Sequence, residues 1–194
     1  MIKLKIGLYF GSFNPIHNGH LAIANYMLEF TDLEQIWFIV SPQNPLKKKK
    51  SLLADYHRYE LVNLAIGDSV DYKASNVEFN LPQPSRTIDT LAYLFDKYPD
   101  KQFTLLMGAD NLLNFKKWKN YQEILNHYQI YVYPRPEVQQ TDFDNHPSVK
   151  RIEAPLMEIS SSFIRQAIKD KKDIRFFLPE TVWNYIKEMH FYEK

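Results

Sequence analysis

The stretch Leu8-Tyr9-Phe10-Gly11-Ser12-Phe13-Asn14-Pro15-Ile16-His17-Asn18-Gly19-His20-Leu21 limits what this chain can fold into more than any other. The apolar run over residues 3–10 reads as a buried strand. It stops at Gly11, which has no Cβ and lets a ligand come close to the backbone. Ser12 and Asn14 are turn residues, and Pro15 blocks continuation of a strand. From Asn18 onward Leu21, Ala24, Met27 and Leu28 recur at helical spacing, which predicts His17 and His20 on one face of a first helical turn. A helix start presents unpaired N–H groups and the positive end of the helix dipole, so it attracts anions. Two imidazoles there add donors for charge developing on a phosphoryl group, a chemistry that needs little beyond positioning and charge stabilisation. Either histidine alone would read as a polar helix-start residue. Strand, glycine turn and helix together favour a nucleotide triphosphate.

Ile159-Ser160-Ser161-Ser162-Phe163-Ile164-Arg165 repeats the same logic late in the chain. Hydroxyl residues open a helix, and Arg165 follows about one turn later with a guanidinium able to grip phosphate through two donors. Alone, this segment is also an ordinary serine cap beside a surface arginine.

Strand-like runs fall at 3–10, 35–40, 103–107 and 129–133, with a weaker one over 70–79 and a short one near 149–152. Helical patterns lie between them at 18–30, 55–66, 87–97 and in pieces within 111–127, and two more follow at 161–169 and 180–189. This alternation predicts an α/β fold. A Rossmann-like, doubly wound parallel sheet carries helices on both faces and a C-terminal helical part from about residue 160, within one domain over 1–194. Ligands of such sheets bind at the carboxyl ends of the strands, where Gly11 falls. Residues 139–147 are polar and are expected to form a mobile surface loop. The lysines at 47–50 follow the second strand on the ligand side, so one or two are expected to face phosphate and the rest water.

Composition closes several routes. With 5 glycines, none in a G-x-G-x-x-G or G-x-x-x-x-G-K-[ST] spacing, dinucleotide dehydrogenase and P-loop readings are disfavoured. No cysteine is present, which excludes disulfides, thiolate zinc sites and thiol catalysis. A net charge of +1 argues against a general nucleic-acid surface. No apolar run is long enough for a membrane span and no leader pattern is seen, so a cytoplasmic enzyme is the expectation.

The first stretch resembles the G-x-F-x-P-x-H-x-G-H signature of a nucleotidyltransferase superfamily, through Gly11, Phe13, Pro15, His17, Gly19 and His20. Asn14 departs from the Asp usual in similar relatives. The late segment resembles the superfamily's I-S-S-T-x-I-R motif, with Ser162 in the threonine's place. Four further elements are similar to those of the nicotinate mononucleotide adenylyltransferase family. They are Ser85-Arg86-Thr87-Ile88-Asp89-Thr90-Leu91, then Met107-Gly108-Ala109-Asp110-Asn111-Leu112 followed by Trp118, then Arg135-Pro136, and finally Leu178-Pro179-Glu180 with Val182 and Tyr185-Ile186. At Pro45-Leu46-Lys47 the relatives' histidine is absent and the basic residue remains.

The resemblance implies transfer of the adenylyl group of ATP to nicotinate mononucleotide, with Mg²⁺ carried on the triphosphate and no metal site in the protein. His17, His20 and Arg165 would be catalytic. Gly11, Ser12, Phe13, Gly108, Asp110, Ile159 and Ser161 would line the ATP site with His20 and Arg165. Lys47 and Arg135 would reach phosphate, and Thr87, Trp118 and the backbone at Lys119 would hold the nicotinate. Each has a plainer local reading: Trp118 as core, Asp110 or Thr87 as a helix cap, Arg135 in a surface salt bridge. The alternatives are pantetheine-phosphate adenylyltransferase, whose chains lack the Trp118 and 178–186 elements, and a catalytically silent nucleotide-binding module. The acid-versus-amide preference, self-association and loop closure stay open at this stage.

Overall fold

The computed structural model describes residues 3–42, 52–136, 138 and 140–194. Six strands, β1 (Leu4–Gly11), β2 (Gln35–Val40), β3 (Tyr72–Ser75), β4 (Lys101–Gly108), β5 (Gln129–Tyr133) and β6 (Val149–Arg151), form one sheet in the order β3-β2-β1-β4-β5-β6. Every neighbouring pair is parallel. A parallel sheet is covered on both faces, so its strands read as continuous apolar runs, which is how the sequence announced them.

Alternate residues separate the two cores. Tyr9, Ile36, Phe38, Leu106 and Tyr131 face one side, packed by α1 (Asn18–Glu29), α2 (Asp55–Ile66), α6 (Ser161–Lys169) and α7 (Glu180–Glu188). Leu8, Trp37, Ile39, Leu105 and Val132 face the other, packed by α3 (Thr87–Lys97), α4 (Ala109–Leu113) and α5 (Tyr121–His127). This is the doubly wound, Rossmann-like arrangement. The strand order reverses between β1 and β4. Their register, with Tyr9 opposite Leu106, brings Gly11 and Gly108 to adjacent carboxyl ends. That reversal opens the crevice in which such sheets bind ligands. Among the described residues no helix is long and apolar enough to cross a membrane.

Two expectations are corrected. The run over 70–79 is not one strand. Only Tyr72–Ser75 pairs with β2, and Val77–Asn80 winds into a 3₁₀ turn. The chain leaves the sheet as Glu78 turns inward, where its Oε1 accepts the Thr90 hydroxyl at 2.7 Å. The described segment 140–147 is a surface turn, as expected, but it is anchored rather than loose. Phe143 is buried edge-on to Phe115 and Tyr121. Asp144 accepts from the Thr141 N–H and hydroxyl, and from the Arg151 guanidinium at 2.9 and 3.1 Å.

Candidate active site

At the end of β1 the chain turns away from the sheet. A Cβ on Gly11 would meet the Phe13 ring at 2.8 Å, so the turn has no room for a side chain there. Phe13 takes φ +43°, a left-handed conformation that a bulky residue keeps only when its surroundings hold it. Its ring is buried against Tyr9, Phe38 and His20, with centroids 5.8, 5.5 and 5.2 Å away. The side chain of Phe13 therefore serves the core.

His17 stands one position before the helix, as the N-cap of α1, rather than within its first turn. His20 is three residues further on. The two rings stack with centroids 3.7 Å apart, and the His17 N–H donates to His20 Nδ1 at 3.3 Å. With Nδ1 accepting, a neutral His20 carries its proton on Nε2, so the ring donates through Nε2. His17 is only 3% exposed, and among the described residues its Nδ1 makes no hydrogen bond.

Burial, reinforced by the positive charge of Arg135, lowers the His17 pKa from 6.5 to about 4. The folded protein thus holds His17 neutral while the unfolded chain protonates it below 6.5. Stability is therefore lost as pH falls from 6.5 toward 4, by about 3 kcal/mol from this group. Carboxylates contribute in the same range, so the measurement is the difference between the parent and His17→Asn in urea unfolding at stepped pH. The expected result is a shallower pH dependence in the variant, and equal slopes would remove His17 as the cause.

The late motif closes on this turn. Ser160 caps α6, its hydroxyl accepting from the Phe163 N–H at 3.2 Å. Ser161 donates its hydroxyl to the Pro15 carbonyl at 2.9 Å. Arg165 donates from Nη1 to the Asn14 carbonyl at 2.8 Å and from Nη2 to the Ser162 hydroxyl at 3.2 Å. Ile159 is half-buried, 3.4 Å from where a Cβ on Gly19 would lie.

Across the crevice, Gly108 is the N-cap of α4, and a Cβ there would collide with Asp110 and come within 3.0 Å of Arg135 Nε. Asp110 lies inside α4, so it is not the cap. Its Oδ1 sits 3.3 Å from Arg135 Nε, and the Arg135 guanidinium lies 5.1 Å over the Tyr133 ring.

The substrate candidates gather at α3. Arg86 is the N-cap and Thr87 the first helical residue, so Thr87 does not cap the helix. The N–H groups of Asp89 and Thr90 bond back to the Arg86 carbonyl, while those of Thr87 and Ile88 lead the helix. Trp118 is half-buried against Phe115, with centroids 5.2 Å apart. Lys119 Nζ bonds both carboxylate oxygens of Asp89 at 3.1 Å, which ties the Trp118–Lys119 segment to the first turn of α3. Lys47 and Leu46 lie outside the described residues.

Sequence reasoning missed Arg58 and Tyr192. Arg58 is fully buried behind the turn and bonds the Ser12 carbonyl. Its one sequence signal is Asp55, three residues earlier on α2. The Tyr192 hydroxyl donates to Asn14 Oδ1 at 2.8 Å, beside the Leu53 N–H at 3.2 Å, and nothing local in the sequence marks it. A cavity of about 310 Å³ lined by Lys3, Lys101, His127 and Gln129 lies at the opposite, amino-terminal edge of the strands, away from both motifs.

A cytidylyltransferase-like family model matches residues 8–167. The chain is 56% identical to a "Probable nicotinate-nucleotide adenylyltransferase" of Flavobacterium psychrophilum, over 98% of this chain and 100% of the relative. It is 52% identical to one of the same description from Christiangramia forsetii, over 97% and 98%. Among solved structures it resembles nicotinic acid mononucleotide adenylyltransferase of Plasmodium falciparum complexed with NaAD, with a TM-score of 0.81 and 20% identity over 97% of each chain. The same enzyme complexed with APC gives a TM-score of 0.80 at 20% identity, again over 97% of each chain. At that identity the structural likeness speaks for the fold alone.

Proposed function

The chain belongs to the nicotinate-nucleotide adenylyltransferases of the cytidylyltransferase-like family, and from that premise we propose that it transfers the adenylyl group of ATP to nicotinate mononucleotide in NAD biosynthesis. One observation carries the reading. Two phosphate-type motifs 146 residues apart meet at the crevice, where Ser161 bonds the turn that leads into His17 and His20.

A phosphate oxygen of the mononucleotide attacks the α-phosphorus of ATP. One P–O bond forms there, and the bond to the bridging oxygen breaks. Its electron pair leaves with pyrophosphate, and the product is nicotinate adenine dinucleotide. No covalent enzyme intermediate is required. His20 donates through Nε2 to the α-phosphate, helped by the leading N–H groups of α1. His17 stands behind it and fixes its ring. Arg165 and the leading N–H groups of α6 hold the departing phosphates. Gly11, Ser12, the Phe13 backbone, Gly108, Asp110 and Ile159 line the adenosine side, and Arg135 and Lys47 serve phosphate. The leading N–H groups of α3 at Thr87 and the backbone at Lys119 take the nicotinate carboxylate, with the ring against Trp118. Mg²⁺ enters on the triphosphate as part of the substrate. Among the described residues no three His, Asp or Glu side chains converge to hold it. We read the whole chain as one nucleotidyltransferase domain at work in the cytoplasm.

The test is pyrophosphate release from ATP and Mg²⁺ with the acid and the amide mononucleotides in parallel. Turnover with a strong preference for the acid is expected. Equal use of both would overturn the carboxylate assignment at Thr87, and turnover only with phosphopantetheine would overturn the proposed reaction.

A further inference from the structure

Arg58 spends every donor it has on the backs of two loops. Its Nε donates to the Leu53 carbonyl at 3.0 Å. Nη1 donates to the carbonyls of Ser12 at 2.6 Å and Ser41 at 2.8 Å. Nη2 donates to the Pro42 carbonyl at 3.0 Å and pairs with Asp55 Oδ1 at 2.5 Å. All five N–H groups of the guanidinium are thereby used. The side chain is 0% exposed, so no substrate reaches it. The four carbonyls belong to the turn after β1, the exit of β2 and the entry to α2. A further bond, from the Ser41 N–H to the Gly11 carbonyl at 2.9 Å, ties the same two strand ends.

Stability alone is a poor reason for such a group. A buried charge is expensive to desolvate, and apolar replacements of similar volume are often no less stable. Burial does pull the Arg58 pKa down, with Asp55 pushing it back up. What a planar fork does that an apolar side chain cannot is hold several carbonyls at fixed angles. One of them, Ser12, directly precedes Phe13, whose left-handed backbone must be held from outside.

We propose that Arg58 is a positioning residue for adenylyl transfer: it holds the turn over residues 11–17 from behind, so that His20 meets the α-phosphate in register. This rests on the proposed reaction, but the turn itself can be read without substrate.

The experiment is Arg58→Lys, which keeps the charge and at most three donors for five acceptors. Turnover with ATP and nicotinate mononucleotide is measured beside the parent, and the His17 ring is titrated by NMR with no substrate present. A parent that fails to turn over would count against the reaction and not against Arg58. In a folded variant, kcat is expected to fall roughly 10- to 100-fold with both KM values little changed, as misplaced groups cost rate more than binding. The His17 pKa is expected to climb from about 4 toward the ordinary 6.5 as the turn loosens and hydrates. If either kcat or the His17 titration matches the parent, or only the melting temperature moves, Arg58 is a structural arginine and the proposal falls. If Arg58→Lys does not fold, Asp55→Asn decides. Asp55 is 42% exposed in its side chain, and losing its charge weakens one of the fork's five bonds while leaving the four carbonyls in place. A several-fold drop in kcat at unchanged KM supports the clip, and unchanged kinetics overturn it.

Discussion

The His20→Ala protein is expected to fold as the parent does and to lose two to three orders of magnitude in kcat, the usual cost of deleting one donor aimed at developing charge. The fold is spared because the ring's neighbours, His17 in a stack and Phe13 and Tyr9 edge-on, are held by other contacts as well. His20 is half-buried, and its Nδ1 accepts the His17 N–H at a long 3.3 Å. Losing that bond and the ring contacts with His17, Phe13 and Tyr9 is worth about 1 to 3 kcal/mol. The chemistry is not spared, because in the proposed reaction the ring's Nε2–H is the donor that meets the α-phosphate. His17 is a poor substitute, being buried and neutral at physiological pH. KM for ATP is expected to move far less than kcat, since a contact made mainly in the transition state leaves ground-state binding nearly intact. Steady-state kinetics with a thermal melt check both halves. A folded variant within threefold of parental kcat would sink the role given to His20.

What the sequence disclosed and what it hid follow from the range of each signal. Periodicity is local, so β2, β5, α2, α3 and α6 fall on the residues their patterns marked. The motif at 11–20 was legible because a strand end, a turn and a helix start lie within a few residues of one another. Where a tertiary contact overrides local preference, pattern reading failed. Glu78 leaves the sheet to reach Thr90, and Phe143 turns a polar stretch inward against Phe115. Arg58 is the clearest loss. On α2 it looks like any charged residue of a solvated helix, and four of its five acceptors are backbone carbonyls, which no side-chain pattern records. The same holds for Tyr192, whose partner Asn14 lies 178 residues away. The sequence also left the burial of His17 hidden, because spacing places two histidines on one face without saying which is covered.

Replacing Arg165 tests the other half of the site. In this structure its guanidinium is engaged with the Asn14 carbonyl and the Ser162 hydroxyl, bonds that use two of five donors. Among the described residues three donors remain, enough to grip a phosphate without releasing the turn. Arg165→Ala is therefore expected to lose on the order of 1,000-fold in kcat/KM, and Arg165→Lys to regain only about tenfold of that, since an ammonium restores charge but not the fork. The alanine effect has two possible origins, a lost phosphate contact or a turn set loose at Asn14. Inhibition by pyrophosphate separates them. Pyrophosphate is the leaving group itself, and it binds whatever holds the departing phosphates. If Arg165 grips them, pyrophosphate must inhibit Arg165→Ala far more weakly than the parent. If kcat collapses while pyrophosphate inhibits as before, Arg165 acts only through Asn14. The departing charge would then have to be carried by the leading N–H groups of α6 and by Arg135, whose Nε is held 3.3 Å from Asp110 across the crevice.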